Sequence, residues 1–154
     1  MAVNTLLEDI NKFRQERKLP VLTENEDAAC LAEQIAEQFK GQSCNNATGE
    51  DIVPGNEPQF SNYPQLLDSC HLNISNTKDG VILPDCVPDS NPAIAYNNYM
   101  VVTSQYFQYV NDTKFVSAGV ALEDSWFVLV LATNTTSGSF QTYNGGTAGE
   151  TGSW

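Results

Sequence analysis

Apolar positions along the first forty residues repeat at helical spacing. Leu6, Ile10 and Phe13 share a stripe with Leu7 beside it, and Asn4 is placed to cap a helix running to about Lys18. Pro20 forces Leu19 out of the helical region and ends it. Thr23-Glu-Asn-Glu26 has the form of a capping box and predicts a second helix to about Phe39, with Ala28, Leu31, Ala32, Ile35 and Phe39 buried. From Gly41 to Pro88 the periodicity lapses and Asn, Gly, Pro and Ser dominate. Within that segment Tyr63–Ser69 predicts a short helix with proline in its first turn, and Asp79-Gly80 a turn before a short strand at 81–83. Asn91-Pro92 starts another helical pattern that breaks up and tails off by Asp112.

The period then changes from 3.6 to 2. Val116, Ala118, Val120 and Leu122 share one parity, and Trp126 to Leu131 is an unbroken apolar run. These two runs predict a β-hairpin turning at Glu123-Asp124. A short continuous apolar strand is one covered on both faces, and a two-stranded ribbon cannot cover itself. The helices of the first forty residues must therefore lie over it, which predicts an α+β fold of helices on a small antiparallel sheet. Phe140 and Tyr143 are candidates for a last strand, and residues 144–154 read as a flexible tail.

Composition narrows the class. The 154 residues, 41% of them hydrophobic, suffice for one domain with its own core. No apolar run approaches the length of a membrane span. The opening MAVNTLLED does not read as a signal peptide. A net charge of −12 argues against nucleic acid and against an anionic lipid surface, since both need basic patches. No EF-hand spacing accompanies the acids.

The cysteines, Cys30, Cys44, Cys70 and Cys86, form no CxxC pair, and His71 is the single histidine. That is a poor zinc set and a good set for two disulfides. Cys30–Cys44 is disfavoured. The helix climbs about 13 Å from Cys30 to Phe39, and five residues would have to return the whole distance. Two patterns remain: Cys30–Cys86 with Cys44–Cys70, which is preferred, and Cys30–Cys70 with Cys44–Cys86. Four N-glycosylation sequons, at Asn46, Asn73, Asn111 and Asn134, also point to a secreted protein.

Little in the chain reads as catalytic. His71 sits beside a sequon and reads as a solvated loop residue. No nucleophile elbow is present, and cysteines in disulfides are not nucleophiles. Glu33 with Glu37, and Glu50 with Asp51, are carboxylate pairs only by proximity in sequence. The aromatics after Pro92 are mostly core by composition, with Tyr96, Tyr99 and Tyr106 as candidates for a ligand groove.

Two stretches resemble a family. LLEDINKFRQERKLPVLTENEDAACLAEQIAEQF carries Asn11 and Arg14 in an N-x-x-R pattern, and Asn25, Ala28 and Ala32 in an approximate N-x-x-L-x-x-x-A pattern. GVA at 119–121 followed by WFVLVLAT resembles a final hairpin. Both are similar to the CAP superfamily (cysteine-rich secretory proteins, antigen 5 and pathogenesis-related protein 1). CLAEQIAEQFKGQSC, VPGNEPQF, SNTKDGVILPDCVP and SQY at 104–106 resemble a plant family of uncharacterised GPI-anchored glycoproteins of CAP-like type.

The resemblance implies a CAP-like α-β-α sandwich over residues 4–143. It implies a signal peptide before the domain and a lipid-attachment signal after it, placing the protein on the extracellular face of the plasma membrane, in the apoplast. Many CAP domains hold two histidines and two acids in a cleft. The matching stretches here carry no histidine, and Glu50 echoes only one of the acids. The expectation is a non-enzymatic surface module without metal or cofactor, whose partner is an extracellular protein, glycan or lipid. The alternative is an apolar-ligand (sterol or lipid) binding protein.

Overall fold

The computed structural model describes residues 2–41, 63–100 and 106–140. In chain order these form α1 (Ala2–Glu16), β1 (Thr23–Glu24), α2 (Glu26–Phe39), α3 (Tyr63–Ser69), β2 (Val81–Cys86), α4 (Pro92–Met100), α5 (Phe107–Val110), β3 (Ser117–Glu123) and β4 (Trp126–Ala132). The sheet order is β1-β3-β4-β2. β3, β4 and β2 are antiparallel neighbours, and β1 adds two residues parallel to β3.

β4 is the centre of the molecule, and all seven of its residues are buried. Trp126, Val128, Val130 and Ala132 enter the layer formed with α2 and α3. Phe127, Leu129 and Leu131 enter the layer that holds Leu6 and Ile10 of α1, Tyr99 of α4 and Val110 of α5. The unbroken apolar run is thus a strand between two helical layers, and the fold is the predicted α-β-α sandwich. Burial of each large side chain contributes roughly 1.5–3 kcal/mol.

The differences from expectation lie at element ends. α1 begins at Ala2, so Asn4 lies inside its first turn rather than capping it. Its far end closes on Lys18, at φ 61°, with the Leu19 N–H donating to the Arg14 carbonyl and the Lys18 N–H to that of Gln15. That is a Schellman closure with lysine in the place usually held by glycine. α2 is capped by Asn25, whose side chain accepts from the Asp27 and Ala28 N–H groups, not by Thr23. Thr23 and Glu24 are taken by the sheet. The Thr23 N–H donates to the Val116 carbonyl and the Asn25 N–H to that of Ala118.

The hairpin turns at Asp124-Ser125, one residue beyond the predicted site, because Glu123 still pairs with Trp126. Asp124 takes φ 53°, and aspartate tolerates that region better than most residues. Phe140 forms no strand: at φ 58° it turns inward and is fully buried. Tyr143 and the 144–154 tail lie outside the described residues, as do Cys44, Asn46, Glu50 and Asp51.

The preferred disulfide pattern is corrected. Cys30 bonds to Cys70, with Cα atoms 5.9 Å apart. Cys86 is also disulfide-bonded. The reason is where each end of α2 lies. Cys86 pairs across the sheet with Trp126, whose ring stacks on Phe39 at the C-terminal end of α2. Cys30 is about 13 Å back along that helix, beside the end of α3 that delivers Cys70.

Candidate functional site

The motif residues singled out in the first two helices hold the scaffold together. Asn11 donates its side-chain N–H to the Leu22 carbonyl at 2.9 Å and accepts from the Leu22 N–H at 2.7 Å, as a neighbouring strand would. Asn25 caps α2 and also donates to Ser117 Oγ and the Ser139 carbonyl, tying helix, sheet and the loop after β4 together. Arg14 is fully buried. Its Nε donates to the Pro20 carbonyl, Nη1 to those of Val110 and Asp112, and Nη2 to that of Phe115. Burial lowers its pKa, with the Asp112 charge opposing. An arginine nonetheless stays charged in a protein. The guanidinium closes the chain between α1 and the start of β3.

The tyrosine groove is corrected. Tyr99 is fully buried and Tyr106 nearly so, their rings stacked at 5.5 Å. Tyr99 Oη donates to the Leu83 carbonyl and Tyr106 Oη to that of Pro84. Both rings are core, and both hydroxyls are spent on β2, an edge strand that carries a proline without an N–H. Tyr96 is half-buried over α1, near Phe13 and Lys12 in a shallow surface depression. Three tyrosines that looked like one wall therefore do two different jobs.

Asp85 lies beside this core and accepts from Asn98 Nδ2 at 2.9 Å. Burial pushes its carboxyl up to about 6, with the Asn98 hydrogen bond opposing. A carboxyl raised above its unfolded value near 3.9 contributes stability below that value, and the contribution is lost as pH rises through about 6. Asp85→Asn keeps an oxygen for Asn98 and cannot ionise. The variant should match wild type at pH 4 and exceed it by about 2–3 kcal/mol at pH 8. Urea unfolding at the two pH values reads this directly, and equal differences at both would contradict it.

Of the paired acids, Glu33 and Glu37 are brought together with Glu123 of β3, their carboxylates within 4.8 Å of one another. The hydrogen bond to Glu123, then burial and the neighbouring charges, push Glu33 up to about 7. The same bond lowers Glu123. Lys40 lies 3.7 Å from Glu123 and 4.0 Å from Glu37. The shared proton and the ammonium together offset the crowding of charge where α2 crosses β3. His71 is exposed on a left-handed turn after α3, at φ 60°. Burial, then the Glu26 charge, raises the Asp27 carboxyl, with His71 opposing.

A half-open hollow of about 560 Å³ lies at one end of the sheet, and sequence reasoning missed it. Lys78, Asp79, Tyr109, Thr113, Lys114 and Asn134 stand around it. They come from the turn before β2, from α5 and its link to β3, and from the loop after β4, so no local pattern announces the site. Its floor is rigid. Asp79 Oδ2 accepts from Thr135 Oγ1 and Ser137 Oγ, the Asp79 N–H donates to the Ser137 carbonyl, and the Thr133 N–H to that of Gly138. The hydrogen bond from Ser137 is the main reason the Asp79 carboxyl is lowered. Of the described sequon asparagines, Asn73 caps a 3₁₀ turn through its side-chain oxygen, Asn111 is half-buried and Asn134 is exposed.

Two solved bacterial structures share this arrangement of helices and sheet. An extracellular protein containing an SCP domain from Bacillus anthracis aligns over 84% of this chain at a TM-score of 0.63 and 14% identity. A cysteine-rich secretory protein from Staphylococcus aureus aligns over 84% at 0.57 and 16% identity. The chain spans only 39% and 37% of those proteins, and the likeness is one of fold. The molecule thus has the fold of an SCP domain. Residues 3–131 match the model of the "Uncharacterized GPI-anchored protein At5g19230-like domain", and the chain belongs to this family. An Arabidopsis thaliana relative, "Uncharacterized GPI-anchored protein At3g06035", is 50% identical over 137 residues, 89% of this chain and 68% of that protein.

Proposed function

We propose that this domain is a non-enzymatic binding or interaction module displayed on the plant cell surface, carried on a GPI anchor and bearing N-glycans. The observation that carries the reading is membership in the family of the GPI-anchored At5g19230-like domain. The residue roles support it. Asn11, Arg14 and Asn25, the polar residues the fold family singles out, are all engaged with backbone groups. The single histidine is exposed on a turn, away from the hollow. The partner is an extracellular protein, glycan or lipid, met outside the membrane. No described helix is long and apolar enough to cross one.

Crosslinking on intact plant cells bearing the full-length protein tests the binding role. The expected result is a defined extracellular partner captured by the folded protein and not by an unfolded variant. Substrate turnover by the purified protein, with no surface partner captured, would overturn the reading.

A further inference from the structure

The hollow beside Asn134 and the chemistry of that residue fit one occupant. Asn134 lies on the rim, its side chain exposed, in the sequence Asn134-Thr-Thr136 that an oligosaccharyl transferase accepts. The loop that presents it is pinned by Asp79 through two hydroxyls and a backbone hydrogen bond, so its direction is fixed. The volume of about 560 Å³ falls within the roughly 300–1,000 Å³ of small-molecule sites. Its lining offers what an N-acetylhexosamine needs. The half-buried Tyr109 ring is a surface for the apolar C–H face or the acetamido methyl group. The Thr113 hydroxyl and the Lys78 ammonium line the hollow as partners for sugar hydroxyls and the acetamido carbonyl, and the Lys114 ammonium lies beside them, 5.2 Å over the Phe115 ring. Tyr109 itself packs edge-to-face against the buried Phe115.

We propose that the hollow seats the first sugars of an N-glycan attached to Asn134, making that glycan part of the folded surface rather than a mobile appendage. The inference rests on the glycoprotein part of the function proposed above. Attachment joins the asparagine amide nitrogen to the anomeric carbon of a lipid-linked oligosaccharide, with the lipid pyrophosphate leaving and the amide proton lost. Seating afterwards is non-covalent.

The test is made on the full-length chain secreted from a glycosylating host. Glycopeptide mapping should find Asn134 occupied. Under native conditions an endoglycosidase that cuts between the two core sugars should release the Asn134 glycan about tenfold more slowly than the Asn73 glycan, the ratio that about 1.4 kcal/mol of sugar contact produces. Tyr109→Ala should bring the two rates together. Lys78→Ala, at an exposed position, should narrow the gap with an unchanged melting curve, and it decides the matter if Tyr109→Ala fails to fold. Equal native rates in wild type, or a gap that neither variant narrows, would overturn the seat while leaving the glycoprotein reading intact. An unmodified Asn134 beside modified Asn73 and Asn111 would do the same. A chain with no glycan at any sequon would overturn both.

Discussion

Arg14→Met is expected to cost the domain about 3–5 kcal/mol, a large part of the roughly 5–15 kcal/mol by which such domains are stable. The guanidinium serves the carbonyls of Pro20, Val110, Asp112 and Phe115 from a fully buried position, and its bonds to Val110 and Phe115 are themselves buried. Methionine fills much of the same volume, so the loss is not a cavity effect. It comes from carbonyls left without donors, at about 1–3 kcal/mol for each one that stays buried. Arg14→Lys should recover little, because one ammonium cannot span carbonyls that come from three stretches of chain. Guanidinium-chloride unfolding checks both variants. A loss below about 1 kcal/mol for Arg14→Met would mean the carbonyls find other partners.

Gly119→Val is the second large effect. β3 passes α2 so closely that a Cβ on Gly119 would overlap the backbone of Ala28 and Ala29. Backbone cannot rotate aside as a side chain can, so helix and sheet must separate. Overpacking typically costs 1–3 kcal/mol, and this site should exceed about 3 because the obstacle is a helix held by its own hydrogen bonds. Even Gly119→Ala should lower the melting temperature measurably. Gly41 is the control. Its φ of 86° strains any side chain, but nothing lies within 4 Å, and Gly41→Ala should cost only about 1–2 kcal/mol. Thermal melts of the three variants give the order, and comparable losses at the two glycines would contradict the close approach.

The sandwich was legible because its signal is redundant. The apolar run of β4 demanded cover on both faces, and the stripes on α1 and α2 supplied the helices to give it. Arg14 was half-legible. It stands four residues beyond Ile10 on the buried stripe, and a charge there asks for buried partners. The identity of those partners, about a hundred residues away, was not in the local pattern.

Element ends were read less well, since each is settled by tertiary hydrogen bonds that local propensity does not contain. Thr23 had the chemistry of a helix cap but found a strand, and Asn25 capped the helix in its place. Lys18 and Asp124 occupy left-handed positions without glycine to mark them. The tyrosines misled for the opposite reason. Tyr99 and Tyr106 follow one another in a local pattern, yet each hydroxyl answers a carbonyl on β2. The disulfide pairing depended on which end of α2 meets which end of β2, a fact of register rather than of spacing. The hollow was invisible for a similar reason, as its walls come from three separate connections.

The central claim, that this domain works at the cell surface on a lipid anchor, is tested most directly by phosphatidylinositol-specific phospholipase treatment of intact plant cells expressing the full-length protein. The account predicts release of the folded, disulfide-bonded domain into the medium. Protein that stays with the cells after treatment, while a known lipid-anchored control is released, would contradict it.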